Sequence, residues 1–202
     1  MTSRCQVLLV SGSLRSHSTN TALLRTVEIV APEGIQTVLY DGLDGLPHFD
    51  PDRDRVPLHP SVADLRATIR ASDAILFCTP EYAGALPGSF KNLLDWTIGD
   101  EHAGSIYEKP VAWINVSAAP TGAADAHDSL RKVLNYAHAS VITDACASIP
   151  VTRQMVRDDG LISEPPVRAR ILAVLTTLIA HTVCFRDKAH GLTDAEGSDT
   201  PL

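Results

Sequence analysis

The feature that most constrains this chain is a series of short, wholly apolar runs, each closed by turn-forming residues and followed by a stretch with helical spacing. Val7-Leu8-Leu9-Val10 is the first, and Ser11-Gly12-Ser13 stops it. A run that is apolar at every position, rather than at every second one, suits a strand covered on both faces, as in parallel sheets. Residues 19–30 then place Ala22, Leu23, Val27 and Val30 on one helical face, and Pro32 and Gly34 end the helix. Thr37-Val38-Leu39-Tyr40 reads as a second strand, and residues 41–60, rich in Asp, Pro and Gly, as a long loop. Val62, Leu65 and Ile69 mark a second helix, and residues 74–78 a third buried strand ending at Thr79-Pro80. Pro87 at a first helical position opens a helix through about residue 97. A fourth strand at 111–116, a helix at 125–138, a fifth strand within 140–149 and a closing helix at 165–181 complete the chain. Strict alternation of this kind predicts a parallel sheet with right-handed crossovers and helices on both faces.

Five such strands fit the flavodoxin-like order 2-1-3-4-5, a three-layer α/β fold. Residues 1–185 form the expected single domain, and residues 186–202 read as a polar, flexible tail. In such sheets ligands bind beyond the carboxyl ends of the strands, at the switch point in strand order. The loops after the first, third and fourth strands are therefore where chemistry is expected.

The first of these, Ser11 to Asn20, holds a glycine, several hydroxyls, Arg15 and Asn20 directly before a helix. A helix start offers free N–H groups and partial positive charge, small hydroxyls add donors without bulk, and Arg15 adds a fork suited to phosphate. A cap needs one such residue, so the excess points to a phosphate site. The second loop, Thr79-Pro80-Glu81-Tyr82-Ala83-Gly84-Ala85-Leu86-Pro87-Gly88, is stiffened by two prolines and opened by two glycines. Its backbone suits close approach of a flat ligand, and Tyr82 can lie against a ring. The third loop begins at Ser117, followed by Ala118-Ala119-Pro120-Thr121-Gly122.

Other chemistries lack their motifs. The chain has no G-x-G-x-x-G, no G-x-x-x-x-G-K-[ST], no G-x-S-x-G and no H-E-x-x-H. Asp50, Asp52 and Asp54 imitate the start of a calcium loop, but Arg55 and Ser61 stand where Gly and Glu are needed. Cys5, Cys78, Cys146 and Cys184 form no C-x-x-C pair, so neither a zinc nor a dithiol site is expected. Lys and Arg number 17 against 24 Asp and Glu, a net charge of −7. With no basic block, neither a nucleic acid nor a membrane surface is expected as a partner. The amino-terminal apolar run is too short for a signal peptide, and Thr176-Thr177 interrupts the C-terminal one, so a cytoplasmic location is expected.

The loops also carry a resemblance. Gly12-Ser13-Leu14-Arg15 with Ser18 and Asn20 resembles the phosphate loop of NAD(P)H-dependent FMN reductases. Pro80-Glu81-Tyr82 with Gly84, Pro87-Gly88, Lys91-Asn92 and Asp95-Trp96 resembles the family's second signature, and Leu46 to Asp52 its loop after the second strand. The resemblance implies a flavodoxin-like domain holding FMN. Ser13, Arg15, Ser18 and Asn20 would contact the phosphate. Pro80, Glu81, Tyr82, Ala83 and Gly84 would line the ribityl chain and ring through backbone, with Ser117 in the third loop. Many relatives carry Asn where this chain has Ala83. The implied reaction passes a hydride from NADPH or NADH to FMN, and then electrons to a small acceptor such as a quinone or flavin, by a ping-pong route. No catalytic acid or base is implied. A non-enzymatic, flavodoxin-type FMN electron carrier is the alternative. A homodimer or homotetramer is implied as well. Glu81 is read as ordering its loop or facing the ribityl chain rather than as a general acid, and Asp95 and Trp96 as structural.

Overall fold

The structure, a computed structural model, describes the backbone of residues 5–100, 102 and 105–195, and side chains as far as residue 182. Its central strands are β1 (Cys5–Ser11), β3 (Ala74–Cys78) and β4 (Pro110–Asn115), with β2 (Ile35–Tyr40) on one edge. With β5 (Ser140–Val141) on the other edge, all pair in parallel, in the order β2-β1-β3-β4-β5, as the flavodoxin-like reading expects. Every residue of β3 is buried, whereas the edge strand β2 is mostly half-buried.

Alternate side chains leave the sheet on opposite faces. Val7, Leu9, Leu76, Cys78, Ala112 and Ile114 pack against α1 (Thr19–Val30) and α5 (Pro165–Ala195). Leu8, Val10, Ile75, Phe77, Val111 and Trp113 face α2 (Pro60–Ala71), α3 (Gly88–Ile98) and α4 (Ala124–Tyr136). The runs are apolar throughout because each strand serves both layers.

Three elements depart from the sequence reading. The fifth strand is split into β5 (Ser140–Val141) and β6 (Ala147–Ser148), both pairing with β4, around a 3₁₀ turn at Thr143–Ala145. Ile142 and Ala145 both enter the α1/α5 core. Residues an odd number apart cannot share a face of a strand, but they can on a tight turn. Pro87 is the cap of α3 and Gly88 its first residue. Helix α5 continues to Ala195, so residues 186–195 of the expected tail have helical backbone. Residues 196–202 lie outside the described residues. Arg, Lys and Ala favour helix without apolar spacing, which is the signal the sequence reading used. No helix among the described residues is long and apolar enough to cross a membrane.

The loop after β2 is held by α3. Asn92 donates through Nδ2 to the Pro47 carbonyl (2.9 Å) and accepts from the Phe49 N–H (2.7 Å), while Trp96 Nε1 donates to the same Pro47 carbonyl (2.8 Å). Lys91 pairs with Asp95 one turn on, at 2.5 Å. Asp95 and Trp96 are thus structural, as expected, and this bracket accounts for most of the second signature's helical half.

Candidate functional site

The carboxyl ends of β1 and β3 are locked together. The Gly12 N–H donates to the Cys78 carbonyl at 2.9 Å. A Cβ on Gly12 would lie 2.2 Å from Thr79 Oγ1 and 2.6 Å from its Cβ, so only glycine allows this approach. Asn20 is 5% exposed; its Oδ1 accepts from the Cys78 thiol (3.3 Å) and its Nδ2 donates to Ser18 Oγ (3.4 Å). Burial raises the Cys78 thiol far above its ordinary range, so it stays protonated and inert.

Ser18 caps α1 and accepts from the Asn20 N–H at 3.2 Å. Helix geometry leaves the other N–H groups of this first turn without intrahelical acceptors. Ahead of the cap, Ser11 Oγ shares a hydrogen bond with Thr21 Oγ1 (2.9 Å), and Ser13 Oγ accepts from the Arg15 N–H (3.3 Å). Arg15 is exposed, and its guanidinium has no partner among the described residues.

After β3 the chain runs through Thr79 and Pro80 to Glu81, whose Oε2 accepts from the Ala126 N–H at 3.0 Å. Ala126 is the third residue of α4, and the cap position, Ala123, has no side chain to offer. Glu81 thus caps α4 from another loop. Tyr82 and Ala85 then exchange two backbone hydrogen bonds of 3.1 Å around Ala83 and Gly84. Both central residues have positive φ, +51° and +70°, the geometry of a type I′ turn. Ala83 sits there at a cost that Asn, better tolerated in this region, bears more easily. Tyr82 is 47% exposed on this turn.

Beyond β4, Asn115 shapes the third loop. Its Oδ1 accepts from the Ser117 N–H (2.9 Å) and its Nδ2 donates to the Gly122 carbonyl. Gly122 and Ala123 both have positive φ. Ser117 Oγ accepts from the Ala119 N–H at 3.3 Å.

These loops enclose an open cleft of about 320 Å³ at the switch point between β1 and β3. Asn20, Pro80, Glu81 and Ser117 line it, together with Thr19, Thr79, Val116, Ala118, Ala119, Thr121, Ala123, Val151 and Arg153. Ser18 opens instead onto an adjoining groove. Ser13 and Arg15 lie on the strand-to-helix loop outside the lining, and Tyr82, Ala83 and Gly84 form the exposed turn that continues from Pro80 and Glu81. The sequence reading missed Asn115 and Arg153. The available signal for Arg153 was position: it follows directly on the last strand's carboxyl end, where the same topological rule applies.

The donor set fits a phosphorylated, flat cofactor. The first turn of α1 faces the cleft, Arg153 is the one cation among the described lining residues, and the one carboxylate is engaged on α4. Alanine side chains leave the third loop's backbone approachable.

Known proteins agree with this architecture. The family model for NADPH-dependent FMN reductase matches residues 5–154. The chain is 37% identical, over 66% of its length and 71% of the relative's, to an NAD(P)H-dependent FMN reductase of Pseudomonas aeruginosa. It is 30% identical, over 70% of its length and 76% of the relative's, to a quinone reductase of Escherichia coli. FerB, a flavoenzyme NAD(P)H:(acceptor) oxidoreductase of Paracoccus denitrificans, superimposes with a TM-score of 0.70 at 27% identity, covering 88% of this chain and 98% of its own. The switch-point cleft, the glycine-tight first loop and the family match lead to one conclusion: this chain belongs to the NADPH-dependent FMN reductase family, and is an NAD(P)H-driven flavin oxidoreductase.

Proposed function

We propose that the cleft holds FMN while NADPH or NADH and then a small acceptor of the quinone or flavin class react in turn at its exposed side, a ping-pong sequence. The observation that carries this reading is the convergence of the three loops on one open cleft at the switch point. Bound FMN supplies two-electron acceptance from a nicotinamide and delivery of those electrons to an acceptor.

The chain's residues bind and orient. Ser18 and the open first turn of α1, with Ser13 and Arg15 on the loop before it, receive the phosphate. Asn20 acts by position, since its side chain is committed to Ser18 and Cys78. Pro80, Glu81, Tyr82, Ala83 and Gly84 supply backbone along the ribityl chain and ring, with the Tyr82–Ala85 turn as its shelf. Ser117 bounds the other side. Glu81, hydrogen-bonded to α4, holds the shelf still and transfers no proton. Family membership favours the reductase over a non-enzymatic carrier. We place the protein in the cytoplasm as a homodimer or homotetramer, with the exposed Tyr82 turn available for subunit contact.

The test is steady-state kinetics with NADPH and a quinone on the FMN-loaded protein. Parallel double-reciprocal lines are expected. Intersecting lines would show both substrates bound at once and overturn the ping-pong reading.

A further inference from the structure

We infer that Arg153, which lies beyond the phosphate-loop signature, is a second charged partner of the flavin's phosphate, reaching it from the cleft wall in addition to Arg15 on the loop; this rests on the FMN reading above. Arg153 lines the cleft together with Thr19 and Asn20 of the first α1 turn. It is the only cationic side chain among the described lining residues, and its guanidinium has no hydrogen bond or ion pair among them. Arg15, the arginine of the signature, lines neither the cleft nor the adjoining groove. A phosphate monoester near neutral pH carries close to two charges. In a chain of net charge −7 it needs a local cation as well as N–H donors.

The backbone places Arg153 firmly. The Val151 N–H donates to the Val116 carbonyl at 3.0 Å, fixing the chain against the end of β4. The 3₁₀ turn Arg153–Met155 follows, closed by Met155 N–H to Thr152 carbonyl (3.1 Å) and Val156 N–H to Arg153 carbonyl (3.2 Å). Val151 is buried at 4% exposure while Arg153 is exposed, so the turn is anchored by one residue and presents the other. Arg153 and Thr19 also line the adjoining groove of about 420 Å³, which holds Arg25 and Arg157; Arg157 pairs with Asp159 there at 2.9 Å. Arg153 is thus the cation at the junction of the two spaces, and the only one of the three that reaches the cleft.

The test compares FMN with riboflavin, which lacks the phosphate, by fluorescence titration of the purified chain and its Arg153→Ala, Arg153→Lys and Arg25→Ala variants. A lost charge-assisted contact predicts FMN affinity about 10- to 100-fold weaker in Arg153→Ala, partly restored in Arg153→Lys. Riboflavin affinity in both, and FMN affinity in Arg25→Ala, should stay within about twofold. Equal losses for FMN and riboflavin would mean a structural role and overturn the assignment. So would an equal loss in Arg25→Ala, which would indicate a diffuse field. Unchanged FMN affinity with a raised KM for NADPH but not NADH would move Arg153 to the dinucleotide and equally overturn it. A wild-type chain that binds neither flavin would fail the FMN reading itself, a result distinct from all of these.

Discussion

At the scale of single residues, backbone geometry decides more than side-chain chemistry. A Cβ on Gly12 would overlap a buried, β-branched Thr79 that has no room to retreat. Gly12→Ala is expected to cost about 3 kcal/mol in a denaturant titration and to release flavin as β1 and β3 part. Ala83 gives the opposite sign. Its φ of +51° is strained for a residue with a Cβ, so Ala83→Gly should raise stability by about 1 kcal/mol, and Ala83→Asn by less. A fall in midpoint for Ala83→Gly would mean that the turn is not I′ in solution. The serine-rich loop shows why residue roles were only half legible. A hydroxyl that caps a helix and one that binds phosphate use the same chemistry, and composition cannot divide them. The structure gives each hydroxyl its partner within the protein: Ser11 bonds Thr21, Ser13 steadies the N–H of Arg15, and Ser18 caps α1. Asn20, read as a phosphate contact from the resemblance, spends its side chain on Ser18 and the Cys78 thiol. That thiol was hidden inside an apolar run 58 residues away.

At the scale of elements, α4 begins without a cap of its own and depends on Glu81. Glu81→Ala should therefore lower stability by about 1 kcal/mol, while the pH profile of turnover keeps its shape. A lost limb in that profile would instead identify Glu81 as a proton donor. One turn into the same helix, His127 is buried at 7% exposure. Its Nδ1 faces the Ala123 carbonyl at 2.8 Å and so carries the hydrogen, which leaves Nε2 an acceptor without a partner among the described residues. Burial holds its pKa below 6.5, against the pull of the Ala123 carbonyl and the charges of Glu81 and Asp128. Below about 6.5 the unfolded chain takes up a proton that the folded chain resists, so this contribution is complete above that pH and is lost towards acid. Urea midpoints measured on either side of pH 6.5 should fall less steeply for His127→Met than for the wild type. Equal slopes would contradict the assignment. Strands and helices were legible as elements because each apolar run serves two layers. The break between β5 and β6 was not, because its cause is the three-residue spacing of Ile142 and Ala145, both of which point into the core.

At the scale of the whole molecule, the alternation of strand and helix fixes where ligands can sit before any residue is assigned a role. The sheet order puts the ends of β1 and β3 side by side and opens the cleft between their loops. That much followed from periodicity. The place of Arg153 in the lining did not, because a single exposed arginine carries no periodicity, and only its position after the last strand's end points to it. If the subunit proposal holds, light scattering at micromolar concentration should give a mass that is twice or four times 21.7 kDa. A monomer would refute it. The central claim is that this cleft holds FMN where a nicotinamide can reduce it. The most direct measurement is anaerobic addition of NADPH, and separately NADH, to the FMN-loaded protein while the flavin absorbance is followed. The account predicts bleaching by one equivalent of at least one nicotinamide, and return of the colour on adding a quinone. Tightly held FMN that neither nicotinamide bleaches would contradict it.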